Sequence, residues 1–300
     1  MTRWRVATYN IRHGLGRDGR VDLDRTAREI AALRADVVAV QEADVAYGPR
    51  SGYEDQAARL GELLGRQVAF GAAIDLPPAA DGQARRRYGL TVLTPHTLED
   101  AVMHPLPAHP GVPARQEGRG ALRARVVRDR GGAGEVLDLL VTHLDNALTE
   151  HRTAEVLGLL RLSEDLPGPA VLLGDLNAAP EDPELAPLGA GGWREAAQEL
   201  RAARRAARRR AGHGPRPAAD GGAASHAAVP RRALDRLVRE VPALAGLARD
   251  PARPTHPARF PVRRIDSVWV RGDVTVQDLA VGGLGASDHR PVIATLDVTA

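Results

Sequence analysis

Ala170-Val171-Leu172-Leu173-Gly174-Asp175-Leu176-Asn177 is an apolar run that stops on an acid and an amide. Four successive apolar residues bounded by a glycine read as a strand covered on both faces. A carboxylate at the end of such a strand marks a rim where polar groups collect. The same plan recurs along the chain. Residues 4–11 read as a strand with Val6, Thr8 and Asn10 on one face, residues 36–42 as a buried strand ending in Gln41-Glu42, and residues 136–142 as a strand ending at His143. Further strands are expected at 88–94, 120–128, 265–270, 274–279 and 292–298. Helices are expected at 22–35, 55–64 and 150–162, the first with Leu23, Ala27, Ile30 and Leu33 on one face. Strands interspersed with helices in this way predict an α/β or α+β sandwich.

The composition bounds the rest. Three hundred residues, 43% hydrophobic and 26% charged, suffice for one large core. No stretch approaches the roughly 18–20 uncharged apolar residues of a membrane span. Cysteine is absent, which excludes disulfides and thiolate metal sites. The opening Met1-Thr2-Arg3-Trp4-Arg5 lacks the apolar region of a secretory signal, so a cytoplasmic location is the expectation.

The net charge of +3 is unevenly spread. Every basic residue other than histidine is arginine, and residues 201–254 hold 13 of them against four acids, a local charge of +9 that leaves −6 for the remainder. Within this segment an Ala/Arg helix is expected from Arg201, then a Gly/Ala/Pro-rich linker, then an amphipathic helix at 231–247. The segment has too few large apolar residues for a core of its own and reads as an insertion. It leaves nucleic acid open as a partner, although a coding bias toward Arg, Ala, Gly and Pro accounts for the composition as well. With 3% aromatic residues there is little to build a base-stacking surface.

Asn10, Glu42, His143, Asp175 and Asn177 each lie at or just past a strand end; Asp266 lies early in a strand and Asp288-His289 shortly before one. Strand ends share a rim, so these residues can converge. Oxygen ligands with two imidazoles and no thiol suit Mg²⁺ or Mn²⁺ over zinc. Such a set suits attack of water on phosphorus. Each residue alone also has a structural explanation, as a turn residue, a helix cap, a solvated strand end or a core imidazole.

Eight short motifs in order carry a resemblance. Thr8-Tyr9-Asn10-Ile11-Arg12-His13-Gly14, Val40-Gln41-Glu42, Tyr88-Gly89-Leu90-Thr91-Val92-Leu93-Thr94 and Glu117-Gly118-Arg119-Gly120-Ala121-Leu122 are followed by Thr142-His143-Leu144, Gly174-Asp175-Leu176-Asn177, Arg264-Ile265-Asp266 and Ser287-Asp288-His289-Arg290-Pro291-Val292. Together they resemble the endonuclease/exonuclease/phosphatase (DNase I-like) superfamily of metal-dependent hydrolases. The resemblance implies an α+β fold, a four-layer αββα sandwich of two packed mixed β-sheets flanked by helices. It implies one domain over residues 1–300, with the Arg/Ala-rich insertion at about 201–254.

It further implies Glu42 as principal metal ligand, with Asn10 beside it and Asp288 sharing. Asp175 would orient or deprotonate water and Asn177 would hold a phosphoryl oxygen. His289, polarised by Asp266, and His143 would serve the phosphate or the leaving oxygen, their acid and base roles left open. Thr255, His256, Arg119 and Tyr88 are candidates for lining the cleft. Arg12 departs from the abasic-site endonucleases, which tend to carry an acid there. The implied activity is Mg²⁺- or Mn²⁺-dependent hydrolysis of a phosphoric ester, a phosphodiester above all. A nuclease, a phosphomonoesterase or sphingomyelinase-like enzyme, and a catalytically silent binding module of the same fold are the alternatives.

Overall fold

A computed structural model describes residues 1–114, 117–129, 134–212, 253–282 and 285–299. In chain order the first six strands are β1 (Thr2–Asn10), β2 (Val37–Val45), β3 (Gln67–Leu76), β4 (Arg86–Thr94), β5 (Thr97–Pro105) and β6 (Gly120–Arg128). They are followed by β7 (Glu135–His143), β8 (Ala170–Asp175), β9 (Arg194–Glu195), β10 (Asp266–Arg271), β11 (Val274–Val281) and β12 (Val292–Val298). The helices are α1 (Leu23–Ala32), α2 (Gln56–Leu64), α3 (Thr149–Glu164), α4 (Ala186–Ala190) and α5 (Ala196–Gly212). Asp22 and Asp55 cap α1 and α2 by accepting from the amides of Arg25 and Ala58, which satisfies donors that a helix start leaves open.

The strands form two six-stranded sheets, ordered β11-β12-β1-β2-β4-β3 and β5-β6-β7-β8-β10-β9. Each is mixed: β1/β2 and β7/β8 pair in parallel, and the other neighbours run antiparallel. Side chains alternate along a strand, so each sheet buries two faces. Trp4 and Val6 of β1, Val37 and Ala39 of β2, Leu139 and Val141 of β7, Val171 and Leu173 of β8, and Val268 and Val270 of β10 fill the space between the sheets. Ala7, Tyr9 and Ile11 face the other way, against Leu23, Ile30 and Leu60 of α1 and α2. Leu140, Leu172 and Trp269 meet Val156, Leu159 and Leu188 of α3 and α4 on the far side. The layers are therefore helix, sheet, sheet, helix, as the resemblance implies.

All nine strands expected from sequence form. The two long additions are β3 and β5. They sit at sheet edges, where one side of the strand meets solvent and the apolar alternation fades: β5 carries Glu99, Asp100 and His104 and is largely exposed. The Ala/Arg helix begins five residues earlier than expected. Ala196, Ala197 and Leu200 lie in the core between the sheets, so the basic run continues a helix anchored by apolar residues. The linker from residue 213 on and the helix expected at 231–247 lie outside the described residues.

Candidate active site

Strand register delivers one half of the site. β7 pairs with β8 so that His143 faces Asp175, and β8 pairs with β10 so that Asp175 faces Asp266. The three residues form one row across adjacent strands. Each continues an inward stripe: Leu139-Val141-His143, Val171-Leu173-Asp175, and Val270-Val268-Asp266. Gly174 permits the close pairing, since a Cβ there would lie 2.2 Å from the Thr142 carbonyl oxygen.

The other half comes from the facing sheet by a less regular route. Asn10 ends the Trp4-Val6-Thr8 stripe of β1. Glu42 does not follow alternation. A bulge between Val40 and Ala43 sets Gln41 and Glu42 against the single residue Leu90, and Glu42 adopts the left-handed conformation at φ 63°. Arg12, His13 and Asn177 are left-handed as well. Four non-glycine residues in this sparsely populated region around one cleft are the kind of backbone strain that functional sites hold.

The two halves join through Asn10. Its amide nitrogen donates to Glu42 Oε1 at 2.8 Å and to Asp175 Oδ2 at 3.0 Å, while its oxygen accepts from the Arg12 amide at 3.0 Å. Asp175 Oδ1 accepts from the Asn177 amide at 3.0 Å. His289 Nδ1 lies 3.1 and 3.0 Å from the two oxygens of Asp266, and its Nε2 is 3.6 Å from Asp175 Oδ2. His143 Nε2 is also 3.6 Å from Asp175 Oδ2. Two imidazoles thus converge on one carboxylate oxygen. Asp288 pairs with Arg12 at 3.2 Å and accepts from the Ser287 hydroxyl at 3.3 Å. Asn177 donates through its side chain to the Leu144 carbonyl at 3.0 Å.

The charges follow from this packing. Burial raises the Asp175 carboxyl to about 7, against the opposing pull of the His289 charge and its own hydrogen bonds. Burial also works against a charged His289, but Asp266 and Asp175 outweigh it and lift the imidazole to about 10. His289 is therefore an imidazolium at neutral pH, with Nδ1–H donating to Asp266. Burial, reinforced by the Arg119 and His289 charges, holds His143 well below the usual histidine range, so it is neutral. Burial pushes Glu42 up; the Asn10 bond and the His289 charge offset part of this, and Asp288 and Glu117 add to it.

These groups line a cleft of about 410 Å³. Of the eight site residues expected from sequence, Glu42, His143, Asp175, Asn177, Asp288 and His289 line it, and Asn10 and Asp266 lie behind, holding Asp175 and His289. Among the secondary candidates, Tyr88, Arg119 and His256 line the cleft, the last with its ring 4.5 Å from that of His289. Thr255 is buried beneath, its hydroxyl accepting from the amides of Ile265 and Asp266. Arg50, Asn146 and Arg263 also line the cleft and were not expected. They sit on connecting segments without a strand-end pattern. Arg50 alone carried a readable signal, lying between Tyr47 and Tyr53; its guanidinium covers Tyr47 at 4.5 Å and is gripped by the buried Asp44.

The family model described as the Endonuclease/Exonuclease/phosphatase family matches residues 7–289. No protein of curated function matches the chain in sequence. Among solved structures, the fold is similar to an endonuclease/exonuclease/phosphatase from Beutenbergia cavernae DSM 12333, with a TM-score of 0.70 and 24% identity over 99% of this chain and 72% of that one. It is also similar to D. rerio TDP2 complexed with single strand DNA product, with a TM-score of 0.58 and 18% identity over 99% and 100% of the two chains. The human Nocturnin catalytic domain with bound sulfate anion matches with a TM-score of 0.59 and 15% identity over 99% and 95%. With two six-stranded sheets, a polar row at their shared rim and a match from the first strand to His289, the chain belongs to the endonuclease/exonuclease/phosphatase family of hydrolases.

Proposed function

We propose that this chain, as one domain, hydrolyses phosphodiesters with the help of a divalent cation, Mg²⁺ or Mn²⁺. The observation that carries the reading is the convergence of His143 and His289 on Asp175 beside the partly buried Glu42. Asp175, with its carboxyl at about 7, is a base matched to neutral pH and takes the proton of the attacking water. The His289 imidazolium donates from Nε2 to a phosphoryl oxygen as negative charge builds there. Asp266 holds its ring and its charge. His143, neutral and buried, holds its Nε2 3.6 Å from Asp175 Oδ2, on the other side of that carboxylate, where it serves the phosphate or the leaving oxygen. Asn177 has a second amide hydrogen left for a phosphoryl oxygen after its bond to Leu144.

The residues fit a cation. Glu42 is partly buried, accepts one hydrogen bond, and has no ion-pair partner among the described residues. Such a carboxylate is relieved by a bound cation. Asn10 would orient it and Asp288 would lie alongside. Ligand atoms of Asp175, Asp266 and His289 also lie within 4.8 Å of one another. Asp175 and Asp266 are already engaged by Asn10, Asn177 and His289, whereas Glu42 accepts a single hydrogen bond, which favours Glu42 as the anchor. The ion, when bound, supplies charge that stabilises the phosphoryl oxygens in the transition state.

A diester is favoured over a monoester by the arginines. Of the four arginines lining the cleft, Arg12, Arg50 and Arg119 are already paired, with Asp288, Asp44 and Glu117, and Arg263 donates to the Asn177 carbonyl. A singly charged phosphodiester needs fewer free cations than a phosphomonoester dianion. A nuclease is the second reading, motivated by the basic stretch that begins in α5 and by the likeness to a structure holding single strand DNA product. No helix among the described residues is long and apolar enough to cross a membrane.

The test is hydrolysis of bis-(p-nitrophenyl) phosphate, p-nitrophenyl phosphate and supercoiled plasmid with Mg²⁺, Mn²⁺ or EDTA, beside the Asp175→Ala protein. Metal-dependent cleavage of the diester that vanishes in the variant is the expected result. Undiminished turnover by Asp175→Ala would overturn the mechanism, and preference for the monoester would overturn the substrate class.

A further inference from the structure

A second cavity, of about 370 Å³, opens beside the cleft and shares Glu117, Arg119 and Asn146 with it. Any ester substituent attached to a phosphate at Asp175 has this cavity within reach along the shared wall. One side is the loop between β7 and α3, and the other is the segment between β5 and β6.

The loop is held by an unusual investment of buried charge. Asp145 Oδ1 accepts from the amides of Ala147 and Leu148 at 2.9 and 2.7 Å. Glu155 accepts from the Asp145 amide at 2.8 Å, and Arg152 donates to the Asp145 carbonyl at 3.2 Å while bound to Glu184. Asp145, Arg152, Glu155 and Glu184 are all buried. Across the cavity, His151 Nδ1 accepts from the His109 amide at 3.0 Å, so its hydrogen is on Nε2 and is donated to the Pro113 carbonyl at 2.9 Å. Hydrogen bonds thus tie residues 145–148 on one wall and His109 and Pro113 on the other, the kind of support a binding site requires of its frame.

Two charged groups dominate this frame. Asp145 is 4% exposed, yet no described residue donates to its Oδ2. Arg119 lines the same cavity, its guanidinium paired with Glu117 at 3.3 Å. The cavity therefore has an accepting pole at Asp145 and Glu117 and a donating pole at Arg119. Between them lie the aliphatic surfaces of Pro113, Ala114, Ala147 and Leu148. No Phe, Tyr or Trp lines it among the described residues.

We propose that this cavity receives one ester substituent of the phosphodiester, and that the substituent is a polyhydroxylated aliphatic group such as glycerol or a hexose. Hydroxyl groups donate to Asp145 and accept from Arg119, so one ligand class satisfies both poles. An ammonium group accepts nothing from Arg119. A nucleobase finds no aromatic face to stack on, the contact that supports base binding elsewhere. The proposal rests on the phosphodiester reading above and narrows its substrate.

The experiment compares kcat/KM for p-nitrophenyl phosphodiesters whose second group is methyl, glyceryl, glucose-6-yl or thymidine-5′-yl, in the wild type and in Ala147→Phe. Ala147 is exposed and lines the cavity, so a phenyl ring there is the substitution chosen to obstruct it. The expected result is a preference of tenfold or more, expressed in KM, for the glyceryl and glucosyl diesters over the methyl and thymidine diesters. Ala147→Phe should erase that preference. A thymidine diester preferred over both, or a preference that survives Ala147→Phe, overturns the proposal. Should no diester be turned over, the phosphodiesterase reading fails on its own. Calorimetry with glucose 6-phosphate and inorganic phosphate then decides the cavity: tenfold tighter binding of the sugar phosphate by wild type but not by Ala147→Phe upholds it, and equal binding overturns it.

Discussion

The two sheets contribute to the site in opposite manners. The sheet of β7, β8 and β10 offers His143, Asp175 and Asp266 by plain register, with regular backbone and side chains that continue the core's own stripes. The sheet of β1 and β2 offers Glu42 only through a bulge and a left-handed residue, with Arg12 and His13 strained nearby. On the regular side the charges compensate one another, Asp266 and Asp175 against His289. On the irregular side Glu42 is partly buried with a single hydrogen bond. Proton chemistry needs groups held at fixed separations, which a ladder provides without strain. A cation ligand needs unsatisfied charge aimed into a cleft, and only a departure from the ladder turns Glu42 there.

The contrast breaks first at Asp175. Asp175→Asn keeps the shape and removes the base, and should lower kcat by about 10³-fold, within the range for loss of a general base. The same change should stabilise the protein at alkaline pH. The folded carboxyl sits at about 7, above its unfolded value of roughly 3.9. Its contribution is fully present below the unfolded value and is lost as pH rises through 7. Urea unfolding in EDTA at pH 8 should therefore show the variant more stable, by on the order of 2 kcal/mol. At pH 4 the gain should be absent, and a pH-independent gain would mean that the charge is not its source.

Glu42→Gln tests the irregular half. Activity should fall by about 10²–10³-fold, the several kcal/mol that a metal's charge supplies. Calorimetric Mn²⁺ binding should disappear with it. Retained Mn²⁺ binding with lost activity would move the cation toward the regular half. Asp266→Asn should act more mildly, by ~10²-fold in kcat, with its signature in His289. The imidazole, at about 10 in the wild type, should titrate far lower in NMR spectra of the metal-free variant. The raised value contributes stability that is present below about pH 6.5 and lost as pH rises through 10. The variant should therefore trail the wild type most at pH 6, and the gap should close toward pH 10.

Sequence patterns made the regular half legible and the irregular half only partly so. Strands ending in His143, Asp175 or Asn10 are visible because a largely apolar run continues up to the polar residue at the rim. For Glu42 alternation misleads: Val37 and Ala39 point between the sheets, so Gln41 inherits their face and Glu42 the opposite one. A bulge has no signature in Val40-Gln41-Glu42-Ala43; its place at a strand end marks Glu42 as a candidate, and the motif order implies its role as metal ligand. Edge strands β3 and β5 escaped because exposure on one side removes the apolar alternation. The Asp145 cavity escaped because it is held by hydrogen bonds among Asp145, Arg152, Glu155 and Glu184, whose spacing reads as an ordinary charged helix.

The smallest effect is expected where charge is most abundant in sequence. α5 carries Arg204 and Arg205 on an exposed face, and Arg204 lies 3.8 Å from Asp278, with both side chains about half exposed. Pairs of this kind contribute between 0 and about 1 kcal/mol. Replacing both arginines by alanine should shift the unfolding midpoint little and change hydrolysis of a small diester by less than about twofold, in contrast to any change at Asp175 or Glu42. The informative measurement is binding of a single-stranded oligonucleotide against salt. Each phosphate contact contributes roughly 0.7 to the slope of log affinity on log salt. An unchanged slope is expected if the cleft alone selects the substrate. A slope smaller by about 1.4 in the double variant would assign this face of α5 to a polyanion, and would favour the nuclease reading over the polyol one.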